Sequence, residues 1–127
     1  MTSRSEIDAK LQELYAARVS GDLERVCRLF SDNAKFEIAS ASRGNPVAVN
    51  SNGIAEFRPL LTLLIRTFRI TDQMFLSIII DDLKAAVHWQ AKVHSRITGA
   101  VVSTEFIDII EIREGRISSY LEFFVPR

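Results

Sequence analysis

An aspartate in the middle of an apolar run is the residue most suited to chemistry in this sequence. In FIDIIEI, Asp108 shares one side of an extended strand with Phe106, Ile110 and Ile112, while Ile107, Ile109 and Glu111 take the other. A charge on such a side is costly unless it is paired or protonated, so Asp108 is the first candidate pocket acid. Burial would raise its pKa, letting it donate a hydrogen bond to a carbonyl or act as an acid; the plain alternative is a structural partner for an arginine. Tyr120, Glu122 and Phe124 alternate with Leu121, Phe123 and Val125 near the end of the chain. Glu122 is a second candidate acid–base group, or else the partner of a base on a neighbouring strand, and Tyr120 is a candidate pocket group. Trp89 suits a cavity wall or the core equally. His88 and His94, on the same predicted strand, stand about 20 Å apart when extended and cannot chelate one metal together, so no metal site is expected. Cys27 has no second cysteine to pair with and reads as a small buried hydrophobe.

The elements that must position these residues follow from capping and periodicity. Ser3 and Ser5 offer N-caps, and Ile7, Leu11, Leu14 and Arg18 then repeat along one helix face until Gly21 stops it. Asp22 caps a second, short helix with Leu23, Val26, Cys27, Leu29 and Phe30 inward. Ser31-Asp32-Asn33 reads as a break before a strand holding Phe36 and Ile38, and 40–52 reads as a loop. A third helix from about Gly53 places Ile54, Phe57, Leu64 and Phe68 on its apolar side, and Phe57 is expected in the pocket. Four strands are then expected over 74–80, 86–97, 101–112 and 117–125, with turns at Asp81-Asp82, Thr98-Gly99 and Glu114-Gly115. The expected class is α+β: a cone-shaped fold with a strongly curved, mostly antiparallel sheet and three helices in the N-terminal half, enclosing a cavity. The outer side of such a sheet is apolar too, and a second copy of the chain is its simplest cover.

At 127 residues the chain suits one domain, 1–127. Its 16 basic and 16 acidic side chains give no net charge, which argues against nucleic acid as a partner. LLTLLI is too short to span a bilayer and the first residues are polar, so the expectation is a soluble cytoplasmic protein with no membrane partner.

The order of elements, the run GDLERVCRLFSDNAKFE and the closing pair FIDIIEIREGRISSYLEFF resemble the nuclear-transport-factor-2-like superfamily, in its SnoaL-like and ketosteroid-isomerase-like branch. The resemblance spans about Ile7 to Phe124. It implies a cavity for a small, largely hydrophobic ligand, a homodimer joined through the outer sheet face, and no cofactor. The isomerase's base would follow Asp32-Asn33-Ala34-Lys35-Phe36-Glu37, where this chain has Ile38, which cannot take a proton. Its oxyanion-hole tyrosine would fall on Leu14, with Tyr15 one position and about 100° further round the helix. Its second acid falls on Asp108. The resemblance therefore implies a site around Asp108, Tyr15, Leu14 and Ile38 while arguing against the steroid reaction itself. An epoxide-hydrolase-like arrangement would need two carboxylates and an arginine, for which Asp108, Glu122 and Arg96 are the candidates. The functions in play are an acid–base isomerase, cyclase or dehydratase, a non-catalytic small-molecule-binding dimer, and a protein-interaction module with a filled interior.

Overall fold

The computed structural model describes residues 3–40 and 48–127. Helix α1 (Arg4–Ser20) begins where Ser3 accepts the Glu6 N–H at 3.2 Å and ends at Gly21, whose φ of 73° is the left-handed turn that brings N–H groups back onto the Ala17 and Arg18 carbonyls. Asp22 caps α2 (Leu23–Arg28) by accepting the Arg25 N–H. Strand β1 (Phe30–Ser40) follows at once and runs through Ser31-Asp32-Asn33, the residues expected to break the chain. They fall where the β1 register shifts between Phe30 and Lys35, a bulge that tolerates their turn-forming character. Strand β2 (Ala48–Asn52) occupies the end of the expected loop and pairs antiparallel with β1; residues 41–47 of that loop lie outside the described residues. Helix α3 (Ile54–Thr67) starts at Gly53 and carries Pro59 within it.

Strand β3 (Phe68–Asp81) is longer than the alternation suggested, beginning at Phe68 rather than Met74. Phe68 continues the helical spacing from Leu64 but is already extended, and Asp72, at φ 53°, sits where the pairing slips between Thr71 and Met74. Strands β4 (Lys84–Ser95), β5 (Val101–Arg113) and β6 (Arg116–Pro126) complete one sheet ordered β2-β1-β6-β5-β4-β3. The β5–β6 turn takes positive φ at both Glu114 and Gly115, which matches the right-handed twist of the strands it joins. Every pair is antiparallel except β1 with β6, and irregularities in three of the five pairings bend the long strands into a cone. The helices cover the inner face.

The core lies between that face and the helices. Phe30, Phe36, Phe57 and Tyr120 pack ring against ring, and Trp89 stacks on Phe106 at a centroid separation of 3.9 Å. On β5 the inward set Thr104, Phe106, Asp108, Ile110 and Ile112 is buried, whereas Ile107 and Ile109 on the other side remain 45% and 39% exposed. No helix among the described residues is long and apolar enough to cross a membrane.

Candidate functional site

Strands β5 and β6 put Asp108 and Glu122 directly opposite one another, both facing inward, with Tyr120 two residues earlier on the same side of β6. Helix α1 supplies the other half of the cluster. Tyr15 and Arg18, one turn apart, come down together onto the two carboxyl groups. Asp108 Oδ2 accepts from the Tyr15 hydroxyl at 2.5 Å and from Trp89 Nε1–H at 2.8 Å, and lies 2.7 Å from the Tyr120 hydroxyl. Arg18 grips Glu122 with both arms, Nη1 to Oε2 and Nη2 to Oε1, the latter at 2.9 Å, and also donates to the Tyr120 oxygen at 2.7 Å. Its guanidinium lies over the Trp89 ring, 5.2 Å from the centroid.

One arginine between two buried carboxyl groups can balance one negative charge, and it stands closer to Glu122. Arg18 lies 3.9 Å from Asp108 Oδ2, beyond hydrogen-bond reach. Burial pushes the Asp108 carboxyl well above its ordinary range, and the Glu122 charge adds to that. Burial also works against ionised Glu122, but Arg18 outweighs it and holds the group below its ordinary value. Both tyrosines are pushed up, first by burial. Burial alone would lower the Arg18 pKa, and Glu122 more than reverses it. The site therefore favours an ionised Glu122 paired with Arg18, and a proton shared by the two carboxyl groups favours Asp108. The Tyr120 hydroxyl has one proton and two carboxyl oxygens within reach, Asp108 Oδ2 at 2.7 Å and Glu122 Oε2 at 2.9 Å, so it donates to one of them at a time. The result is a hydrogen-bonded line from Asp108 through Tyr120 to Glu122. Asp108 Oδ1 is buried and without a partner among the described residues.

A cavity of about 650 Å³ opens beside this cluster. Arg18, Tyr120 and Glu122 line it, as do Leu14 and Ile38, and its walls are otherwise mainly apolar. Asp108, Tyr15 and Trp89 do not line it; they lie behind the lining residues and reach the cavity through Tyr120 and Arg18. Phe57, expected in the pocket, is a core residue stacked on Phe36, because α3 turns that side of itself onto β1. Trp89 takes the core alternative, against Phe106 and Tyr15. Arg96 lies on the cavity rim, far from the two carboxyl groups it was considered for, and Arg18 fills that place. The signal for Arg18 was its position in the apolar stripe of α1, four residues after Leu14. His88 lies beside Glu105 at 3.4 Å and His94 beside Thr71 at 2.6 Å, neither in the cluster. Among the described residues no three His, Cys, Asp or Glu side chains gather as metal ligands.

The sequence profile described as SnoaL-like domain matches residues 11–120, nearly the whole chain. The chain belongs to the SnoaL-like family. Solved structures of the nuclear-transport-factor-2-like superfamily share the fold of this SnoaL-like protein. A suggested isomerase from Bacillus subtilis aligns with a TM-score of 0.83 at 20% identity, covering 98% of this chain and 90% of its own. An epoxide hydrolase from M. tuberculosis gives 0.75 at 15%, with 95% and 84% covered. A suggested polyketide cyclase from Xanthomonas campestris gives 0.75 at 14%, with 96% and 92% covered. No functionally curated protein matches the sequence significantly. At such identities the likeness of this SnoaL-like chain to these structures is one of fold.

Proposed function

We propose that this SnoaL-like protein binds a small, largely hydrophobic carbonyl or hydroxyl compound in its cavity and performs acid–base chemistry on it, as an isomerase, cyclase or dehydratase of the cytoplasm. The observation that carries this reading is the Asp108–Glu122 pair: two facing carboxyl groups pushed in opposite directions by one arginine, at the edge of an apolar cavity. Environments that separate two pKa values in this way assign an acid and a base. Glu122 is the base. A carboxylate offers about four lone-pair positions, and Arg18 and Tyr120 occupy three, leaving one for a substrate proton. Tyr120 turns its one proton from the carboxyl oxygens to the substrate oxygen, and Asp108 acts through it by replacing the proton it gives. Tyr15 and Trp89 hold Asp108 in place.

In an isomerisation of a carbonyl compound with a β,γ double bond, Glu122 takes a proton from the carbon beside the carbonyl while Tyr120 protonates the oxygen, giving a dienol. Asp108 restores the Tyr120 proton. Glu122 then delivers its proton to a different carbon as the enol proton returns along Tyr120 to Asp108, so no proton is gained or lost. A dehydratase would instead release the protonated hydroxyl as water. Ile38 lines the cavity where a steroid-type base would stand, which removes that specific reaction from the proposal. The 15% identity to an epoxide hydrolase carries no residue roles, but an arginine between two facing carboxyl groups also suits activation of water.

Deuterium incorporation beside the carbonyl of hydrophobic ketones such as 2-tetralone, followed by NMR, tests the proposal. The wild-type chain should catalyse exchange, and Glu122→Gln should slow it about 10²-fold or more with binding retained. Ligand binding with no exchange in any ketone would instead favour the second reading, a non-catalytic binding dimer, which the double grip of Arg18 on Glu122 supports. The cavity volume speaks against a protein-interaction module with a filled interior. The homodimer is part of the proposal: Ile107, Ile109, Phe123 and Val125 stand exposed together on the outer face of β5 and β6.

A further inference from the structure

The cavity has polar groups at two separate places, and the reaction proposed above uses one of them. At the far end Phe68 pairs with Ser95 across β3 and β4, and both line the cavity. Arg69 follows Phe68 on the edge strand, and Arg96 lies in the turn after β4, where its N–H donates to the Thr67 carbonyl at 2.8 Å. Both arginines also line the cavity, and both side chains are exposed.

Charge at this end is uncompensated. Glu122 is the one carboxylate among the described lining residues, and Arg18 already holds both of its oxygens. Neither Arg69 nor Arg96 forms an ion pair with a carboxylate among the described residues. The neighbouring cavity groups are apolar, as at Val93 and Val102, or neutral, as at Ser95. Along β5 the row at Asp108 lies seven residues from Val101, which pairs with His94 near this rim, so the two polar places stand roughly 20 Å apart in extended chain. The rim arginines therefore act independently of the acid–base cluster.

We infer that the ligand of this cavity is an amphipathic carboxylate, with its hydrocarbon body between the apolar walls and its anionic end at Arg96, with Arg69 beside it. This rests on the reading of the cavity as a ligand site and adds the class of ligand. Arg96 is the principal anchor, standing in the turn after β4, and Arg69, further along the exposed edge strand, strengthens the local field. A guanidinium suits a planar carboxylate through two parallel hydrogen bonds.

Calorimetric titration of the full chain with dodecanoate and with dodecan-1-ol tests this, since the two share a hydrocarbon body and differ in charge. Dodecanoate should bind about tenfold more tightly, a preference that shrinks as salt screens the exposed rim. Arg69→Gln combined with Arg96→Gln should bring dodecanoate down to the level of the alcohol and leave the alcohol unchanged, with Arg96→Gln alone producing most of the loss. Equal binding by the wild-type chain, or a preference that survives in the double variant, overturns the inference while leaving the cavity as a ligand site. Val102→Trp, which fills the rim, separates the other case. If neither compound binds, or if both bind that variant as they bind the wild type, the cavity is not the site and the proposed function falls together with the inference.

Discussion

Replacing Arg18 by Met removes the one positive charge that two buried carboxyl groups share, while keeping an unbranched side chain on the apolar stripe of α1. Glu122 is 2% exposed and the Arg18 side chain 17% exposed, so the pair is largely shielded from water. Removing one member of a buried pair costs about 3–5 kcal/mol because the other charge is left uncompensated. Loss of the stacking on Trp89 adds about 1 kcal/mol. Arg18→Met should therefore lose about 4–6 kcal/mol at pH 7, a large share of the roughly 5–15 kcal/mol that holds a domain folded. The sign of the pH dependence follows from Glu122. In the wild type its folded pKa lies below the ordinary 4.5, so its contribution is present above that value and is lost as pH falls through the folded pKa. Without Arg18, burial is the largest influence left on Glu122 and raises its pKa, so the variant should regain stability relative to wild type as pH is lowered from 7 toward 5. Adding Glu122→Gln should restore most of the loss at pH 7, since no unpaired charge then remains. Urea unfolding of the wild type and the single and double variants between pH 5 and 8 measures all of this. A single variant within 1 kcal/mol of wild type at pH 7, with no recovery toward pH 5, would refute the account of Arg18 as the balancing charge.

Asp108→Asn probes the other carboxyl group. Its folded pKa is raised, so its contribution is complete below the unfolded value of about 3.8 and is lost as pH rises through the folded pKa. The amide resembles the protonated acid, and the variant should gain stability relative to wild type as pH rises from 5 to 8; parallel pH–stability curves would count against a protonated resting Asp108. On the outer face, Ile109→Glu places a charge in the exposed apolar row of β5 and should convert the proposed dimer to a monomer at micromolar concentration, read as a halved mass by light scattering. An unchanged dimer mass in that variant would move the interface elsewhere.

How much of this was legible beforehand differs between elements for physical reasons. The bounds of α1 are written in local chemistry, a serine cap and a glycine that adopts the left-handed conformation, and so are readable from a few residues. The start of β1 and the whole of β2 were hidden because strands near a sheet edge tolerate the polar turn formers Asp32, Asn33, Asn50 and Asn52, which in isolation signal a loop. The early part of β3 was hidden because the pairing slips beside Asp72, and a slip destroys the alternation by which a strand is read. In the site, Asp108 stood out as a charge on an apolar side, whereas Arg18 was read only as one position of the α1 stripe and Arg96 was considered in its place. Their shared environment depends on how α1 lies across β5 and β6, a contact between residues some ninety apart in the chain that no local pattern encodes.

That long-range placement also decides what each carboxyl group can do. The residue most conspicuous in the sequence, Asp108, is conspicuous because it is the more deeply enclosed of the two: a lone acid in an apolar stripe is affordable when tyrosine and tryptophan donors converge on it and no solvent reaches it. The same enclosure keeps it from touching a ligand in the cavity. Glu122, in a strand with more mixed polarity, gave a weaker signal but holds the position at the cavity wall and the arginine that keeps it ionised. If the chemistry runs as proposed, Glu122→Gln should strike the rate directly, whereas Asp108→Asn should act through Tyr120. Asparagine can donate a hydrogen bond to Tyr120 but cannot replace a proton given away, so the Asp108 variant should keep ligand affinity and lose rate in a way that Tyr120→Phe reproduces. A double variant no slower than either single one would place the two residues on one proton path; additive losses would separate them.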